Sequence, residues 1–107
     1  MADKFTIGVL TSGGDAPGMN AAIRAVVRTA LTNNMNVIGI QHGYEGLING
    51  EFKSMGPRDV GGILQRGGTI LLTSRSKRFV EPSGQRDAIR KMNEAGIDAL
   101  IVIGGEG

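Results

Sequence analysis

The sequence contains no cysteine, and that absence removes disulfides, thiolate metal ligands and cysteine nucleophiles together. It accords with a cytoplasmic location, where disulfides are rare. No apolar run approaches the roughly 20 residues of a membrane-spanning helix, and the first residues lack the apolar centre of a secretory signal, so a soluble, unexported protein without a membrane partner is expected. Dense charge of one sign is also missing. The formal net charge is +2, the only basic cluster is Arg75-Ser76-Lys77-Arg78, and the single tyrosine, Tyr44, is not interleaved with it; nucleic acid is therefore not expected as a partner. The single histidine, His42, has no cysteine, aspartate or second histidine at metal-ligand spacing and is given no role. Nothing resembles a nucleophile triad or a glycosidase pair of carboxylates. At 107 residues the chain is one small domain or a piece of a larger one.

Glycine is what the chain has in excess: 18 of 107 residues, more than twice the average share of about 7%. Most of these glycines fall in pairs or at turns. One stretch, Leu10 to Asn20 (Leu-Thr-Ser-Gly-Gly-Asp-Ala-Pro-Gly-Met-Asn), follows the apolar run Phe5 to Leu10 and precedes a helical pattern. A strand, a glycine turn and a helix start form a phosphate trap. Glycines let backbone amides approach an anion, and the helix adds unpaired N–H groups and its positive dipole end. Asp15 reads as a cap for that helix.

Ile23, Val26, Val27, Ala30 and Leu31 make one apolar stripe of a helix from about Gly18 to Thr32. Asn33-Asn34 ends it, and Asn36 to Ile40 is a second strand, so the connection is a βαβ unit with parallel strands. Gly43 to Ile48 suggests a short helix, Glu51 to Lys53 a short edge strand, and Pro57 a helix start that turns Val60, Ile63 and Leu64 inward. Thr69 to Thr73 is a β-rich run. Ser83 is expected to cap a helix burying Ala88, Ile89, Met92 and Ala95, with Gly96 as its left-handed C-terminal residue. Ala99 to Ile103 reads as the cleanest buried strand of the chain, followed by Gly104-Gly105-Glu106-Gly107.

Three loops follow strands: Thr11 to Gly18, Thr73 to Arg78, and Gly104 to Gly107. In an open parallel sheet ligands bind beyond the carboxyl ends of the strands, so together they describe a polyphosphate site, although each alone reads as a turn. Arg75 offers a planar fork of donors for phosphate oxygens, while Lys77 and Arg78 read as solvated loop residues. Glu106 suits Mg²⁺, held directly or through water. Arg24 and Arg28 lie four apart on a helix, a spacing that by itself marks a solvated face.

The run Ile7 to Arg24, with Gly43-Tyr44-Glu45-Gly46-Leu47, Arg66-Gly67-Gly68-Thr69, Thr73-Ser74-Arg75 and Ile97 to Gly105 in the same order, resembles the N-terminal part of ATP-dependent 6-phosphofructokinases. The resemblance covers nearly the whole chain. It implies an α/β fold, a three-layer Rossmann-like parallel sheet with helices on both faces, truncated, with residues 1–107 as the nucleotide-binding part of a larger chain. It implies a kinase that transfers the γ-phosphoryl of ATP to the 1-hydroxyl of fructose 6-phosphate with Mg²⁺ in glycolysis, working as a homotetramer under a small anionic effector such as ADP. Carried over by position, Gly14, Tyr44, Arg75, Gly105, Glu106 and Gly107 are ATP contacts, Glu106 also the metal ligand, and Arg24, Arg28 and Arg58 effector contacts. Glu106 stands where many members have Asp, and Pro57 about where an effector-binding arginine is often found. The family's catalytic base, an Asp in a Thr-Ile-Asp motif, does not occur among the 107 residues, so the isolated chain is expected to be inactive. The alternative is a non-catalytic nucleotide- or phosphate-binding module. A dinucleotide oxidoreductase does not fit, because Gly13, Gly14 and Gly18 lack Gly-x-Gly-x-x-Gly spacing.

Overall fold

The computed structural model describes residues 4–13, 18–63, 68–74 and 76–104. Its elements are β1 (Thr6–Ser12), α1 (Met19–Thr32), β2 (Asn36–Ile40), α2 (Gly43–Asn49), β3 (Phe52–Met55), a 3-10 turn at Pro57–Val60, a second at Arg78–Val80, α3 (Pro82–Ala95) and β4 (Ala99–Gly104). The sheet order is β3-β2-β1-β4. β1 pairs in parallel with both β2 and β4, while β3 runs antiparallel to β2 and forms one edge. A direct turn from β2 through the short α2 leaves no room for a long crossover, which is why β3 returns antiparallel.

Alternation along the strands sorts side chains to two faces. Ile7 and Val9 of β1 and Val37 of β2 join Ile23, Val27 and Ala30 of α1, together with Met55, Val60, Ile63 and Leu71. On the opposite face Leu10 and Ile40 meet Leu47 and Ile48 of α2, Ala88 of α3, and Ile97. Helices thus cover both sides of the sheet, and the α/β three-layer expectation holds with an antiparallel edge added.

Five local expectations change. Thr69 to Thr73 is not a strand: Thr69 Oγ1 accepts from the Leu71 N–H at 3.2 Å and Asn20 Oδ1 from the Ile70 N–H at 2.8 Å, so side chains take the hydrogen bonds a ladder would need. Glu81, not Ser83, precedes α3, and Pro82 occupies its first turn, a position where a missing N–H costs nothing. Ile89 is 58% exposed while Ala88 is buried, because α3 turns a narrower stripe inward than its composition suggested. The helix expected from Pro57 is a single 3-10 turn; Val60 and Ile63 are buried, and Leu64 lies outside the described residues. β4 is only half-buried, with Val102 44% exposed, since among the described strands it has a neighbour on one side only. Gly96 does close α3 in the left-handed region, at φ 73°.

Candidate functional site

The carboxyl ends of the parallel strands meet the segment at residues 68–74. Thr11, completely buried in β1, has its Oγ1 2.9 Å from the Leu72 carbonyl oxygen and 3.1 Å from Thr69 Oγ1. A carbonyl only accepts, so the Thr11 proton goes to Leu72 and the Thr69 hydroxyl donates to Thr11. The Leu71 N–H completes this relay by donating to Thr69 Oγ1. On the β2 side the His42 N–H donates to the Leu71 carbonyl at 2.9 Å. The segment is therefore fastened to β1, to the start of α1 through Asn20, and to the end of β2.

Two glycines make the close approaches at this end of the sheet. Gly43, the first residue of α2, has φ +58°, and a Cβ there would stand 3.0 Å from the Thr11 carbonyl and 3.6 Å from both the N and O of Ser74. Gly104, the last residue of β4, has φ +143°, and a Cβ would lie 2.1 Å from the Ser12 carbonyl. The ends of β1 and β4, the segment 68–74 and the start of α2 thus converge at the distance of bare backbone.

The backbone is also strained here. His42 and Leu72 are non-glycine residues with φ of 63° and 65°, an arrangement of a kind that gathers at ligand sites. Leu72 is 45% exposed, whereas its neighbour Leu71 is buried in the core. Leu72→Gly is accordingly expected to change stability by no more than about 0.5 kcal/mol, relief of the left-handed conformation offsetting the added freedom of the unfolded chain. Leu71→Ala should cost about 2–4 kcal/mol. Urea unfolding of the two variants checks the contrast.

Of the residues expected at the site, Tyr44 is in α2 immediately after Gly43, and its ring stacks on Phe79 with centroids 4.1 Å apart and planes 20° from parallel. Gly14, Arg75, Gly105, Glu106 and Gly107 lie outside the described residues, as does Asp15. Arg24 and Arg28 are both on α1, the first half-buried and the second exposed. The Arg24 Nε is covered and has no hydrogen-bond partner among the described residues. Arg58 is exposed on the Pro57–Val60 turn, and Val60 of that turn packs in the same core as Ile23 and Val27 of α1. Beside it, the Asp59 carboxylate accepts from the Gly56 N–H at 2.7 Å and pairs with Lys53 Nζ at 3.3 Å. These contacts, the backbone one foremost, hold its carboxyl below the usual aspartate range.

Other residues of this region were not legible as functional. Arg78, expected to be solvated, donates to Glu45 and Asn49. Glu45 also accepts from Ser76 Oγ at 2.7 Å, and the Arg78 and Ser76 hydrogen bonds hold its carboxyl below the ordinary glutamate range. His42 is not isolated, its Nδ1 lying 2.9 Å from Glu51 Oε1. These partners are separated by 9 to 33 residues. No spacing rule reaches that far; the signal available was the Gly-Tyr-Glu-Gly run itself, which puts a carboxylate within one turn of the site.

Among the described residues no group of three His, Cys, Asp or Glu side chains could hold a metal ion, and no helix is long and apolar enough to cross a membrane. A family model described as Phosphofructokinase matches residues 6–107. The ATP-dependent 6-phosphofructokinase of Aquifex aeolicus is 59% identical over 101 residues, covering 94% of this chain and 32% of that protein. The corresponding protein of Halothermothrix orenii is 57% identical over 101 residues, covering 94% of this chain and 30% of its own length. The crystal structure of Pichia pastoris phosphofructokinase in the T-state superposes with a TM-score of 0.93 at 46% identity, over 98% of this chain and 11% of that one. The chain thus spans about a third of the length of the curated relatives it matches. With the opening motif, the strand order and this similarity in agreement, the chain belongs to the phosphofructokinase family.

Proposed function

We propose that this chain forms the ATP-Mg²⁺ part of a 6-phosphofructokinase, a cytoplasmic glycolytic kinase that phosphorylates the 1-hydroxyl of fructose 6-phosphate. The observation that carries the reading is the convergence at Gly43 and Gly104, where side-chain-free backbone from α2 and β4 stands against Thr11, Ser12 and Ser74. This convergence lies at the carboxyl ends of the parallel strands, where ligands of open α/β sheets bind, next to the start of α1, whose free N–H groups suit an anion. Gly14, Gly105 and Gly107 supply backbone to the triphosphate, Arg75 supplies the guanidinium fork, and Tyr44 lies beside the nucleotide. Glu106 would hold Mg²⁺, directly or through water, together with phosphate oxygens, a donor set that suits this ion. Bound Mg²⁺ supplies neutralisation of charge on the phosphates during transfer.

Arg24, Arg28 and Arg58 form the effector contacts. A covered Arg24 Nε without a partner among the described residues supports an anion there, because a buried charged donor left unpaired is costly. The assembled enzyme is a homotetramer, and its catalytic base is not among these residues. The purified chain is expected to bind ATP only when Mg²⁺ is present, weakly, and to show no ATP-dependent phosphorylation of fructose 6-phosphate. Calorimetric titration followed by a coupled assay checks both halves. ATP binding indifferent to Arg75→Met would sink the site assignment, and turnover by the 107-residue chain would sink the missing base.

A further inference from the structure

Residues 76–80 are fastened to α2 rather than to the sheet. Glu45 accepts from both Ser76 Oγ and Arg78 Nη2, Arg78 also donates to Asn49 Oδ1 at 2.8 Å, and the Phe79 ring lies on Tyr44. Ser76 Oγ in turn accepts from the Phe79 N–H at 3.2 Å. One carboxylate therefore takes two of the contacts that hold the turn, and α3 adds another through Gln85 Nε2, which donates to the Phe79 carbonyl at 3.0 Å. On the chain-preceding side, the Ser74 backbone lies against Gly43, the first residue of the same helix.

The fold does not need this arrangement for stability. The Glu45 and Arg78 side chains retain 30% and 52% of their exposure, and ion pairs that open to solvent contribute little to stability. α2 and α3 are already joined by Leu47, Ile48 and Ala88. What the carboxylate adds is the polar fastening of Ser76 and Arg78 to α2, alongside the contacts made by Asn49 and Tyr44.

We propose that Glu45 is a positioning residue for polyphosphate, holding residues 76–80 on α2 so that the mouth of the site keeps its shape. The inference rests on the phosphate-site reading above. Electrostatics alone predicts the opposite sign: Glu45 neutralises Arg78, and deleting a carboxylate near an anion site raises the local positive potential and should tighten binding. Glu45→Gln therefore separates the two effects.

The test is a titration of the 107-residue chain with inorganic tripolyphosphate in the presence of Mg²⁺, followed by NMR. Glu45→Gln is expected to weaken binding about tenfold, the scale of losing charge-assisted hydrogen bonds, and to speed amide exchange at Phe79 while far-UV circular dichroism stays unchanged. Exchanging the charges, Glu45→Arg with Arg78→Glu, should recover most of the affinity. Equal or tighter binding by Glu45→Gln overturns the proposal and leaves the phosphate site standing. Absence of tripolyphosphate binding by the unaltered chain overturns the site reading, and the role of Glu45 with it.

Discussion

Gly46→Ala is expected to lower the stability of the fold by more than about 3 kcal/mol. Replacing glycine by alanine inside a helix ordinarily stabilises it by about 1 kcal/mol, so the predicted sign runs against helix propensity. The reason is a backbone contact. A Cβ on Gly46 would stand 1.5 Å from the Gln41 carbonyl oxygen and 2.8 Å from its carbon, and neither strand nor helix is free to retreat. The Gln41 N–H donates to Glu51 at 3.0 Å, the Glu51 N–H to Gly46 at 2.9 Å, and the Gly46 N–H to His42 at 3.2 Å. Moving Gln41 therefore opens the return from α2 into β3. A cost above about 3 kcal/mol is a large share of the 5–15 kcal/mol that holds a domain folded. Gly62→Ala is the control, since nothing lies within 4 Å of its Cβ position, and it should stay within about 0.5 kcal/mol of the parent. Urea midpoints by far-UV circular dichroism decide the matter; an unchanged midpoint for Gly46→Ala would mean that α2 does not cross the end of β2 this closely.

The second large effect is expected at Thr11. Thr11→Val keeps shape but ends the relay from the Leu71 N–H through Thr69 and Thr11 to the Leu72 carbonyl. The Leu72 carbonyl loses its donor at a partly buried position and the buried Thr69 hydroxyl loses its acceptor, a combined loss of about 2 kcal/mol. Because those groups hold the segment 68–74 against β1, tripolyphosphate affinity should fall at least tenfold as well. Thr11→Ser, which keeps the hydroxyl and loses one methyl, should cost about 1 kcal/mol and retain binding. If the serine and valine variants bind alike, the hydroxyl relay does not shape the site.

What could be read from the chain in advance was what is written locally. The stripe Ile23, Val27 and Ala30 marks α1, the β-branched run at Asn36–Ile40 marks β2, and Gly96 marks the end of α3, because each depends on residues within one or two turns. Thr69 to Thr73 has strand composition, yet its hydrogen bonds go to Asn20, fifty positions earlier, and to its own threonine. Local propensity yields there to a tertiary partner. The apolar run of β4 was easily seen, but its exposure depends on what lies beside it in the sheet, which no strand encodes in itself. The site divides the same way. Its glycine loops are visible as spacing, and Tyr44 emerges beside them from the family resemblance. The fastening of Ser76 and Arg78 by Glu45 crosses 31 and 33 positions and becomes visible only when α2 and the second 3-10 turn are placed together.

The stacked pair of Tyr44 and Phe79 gives the molecule an optical property. With no tryptophan and a single tyrosine in the sequence, nearly all absorbance near 280 nm and the emission excited there originate from one ring, and that ring sits at the mouth of the proposed nucleotide site. A conventional fluorescence trace of this protein is therefore a single-position measurement, blind to the rest of the fold and sensitive to whatever displaces Phe79.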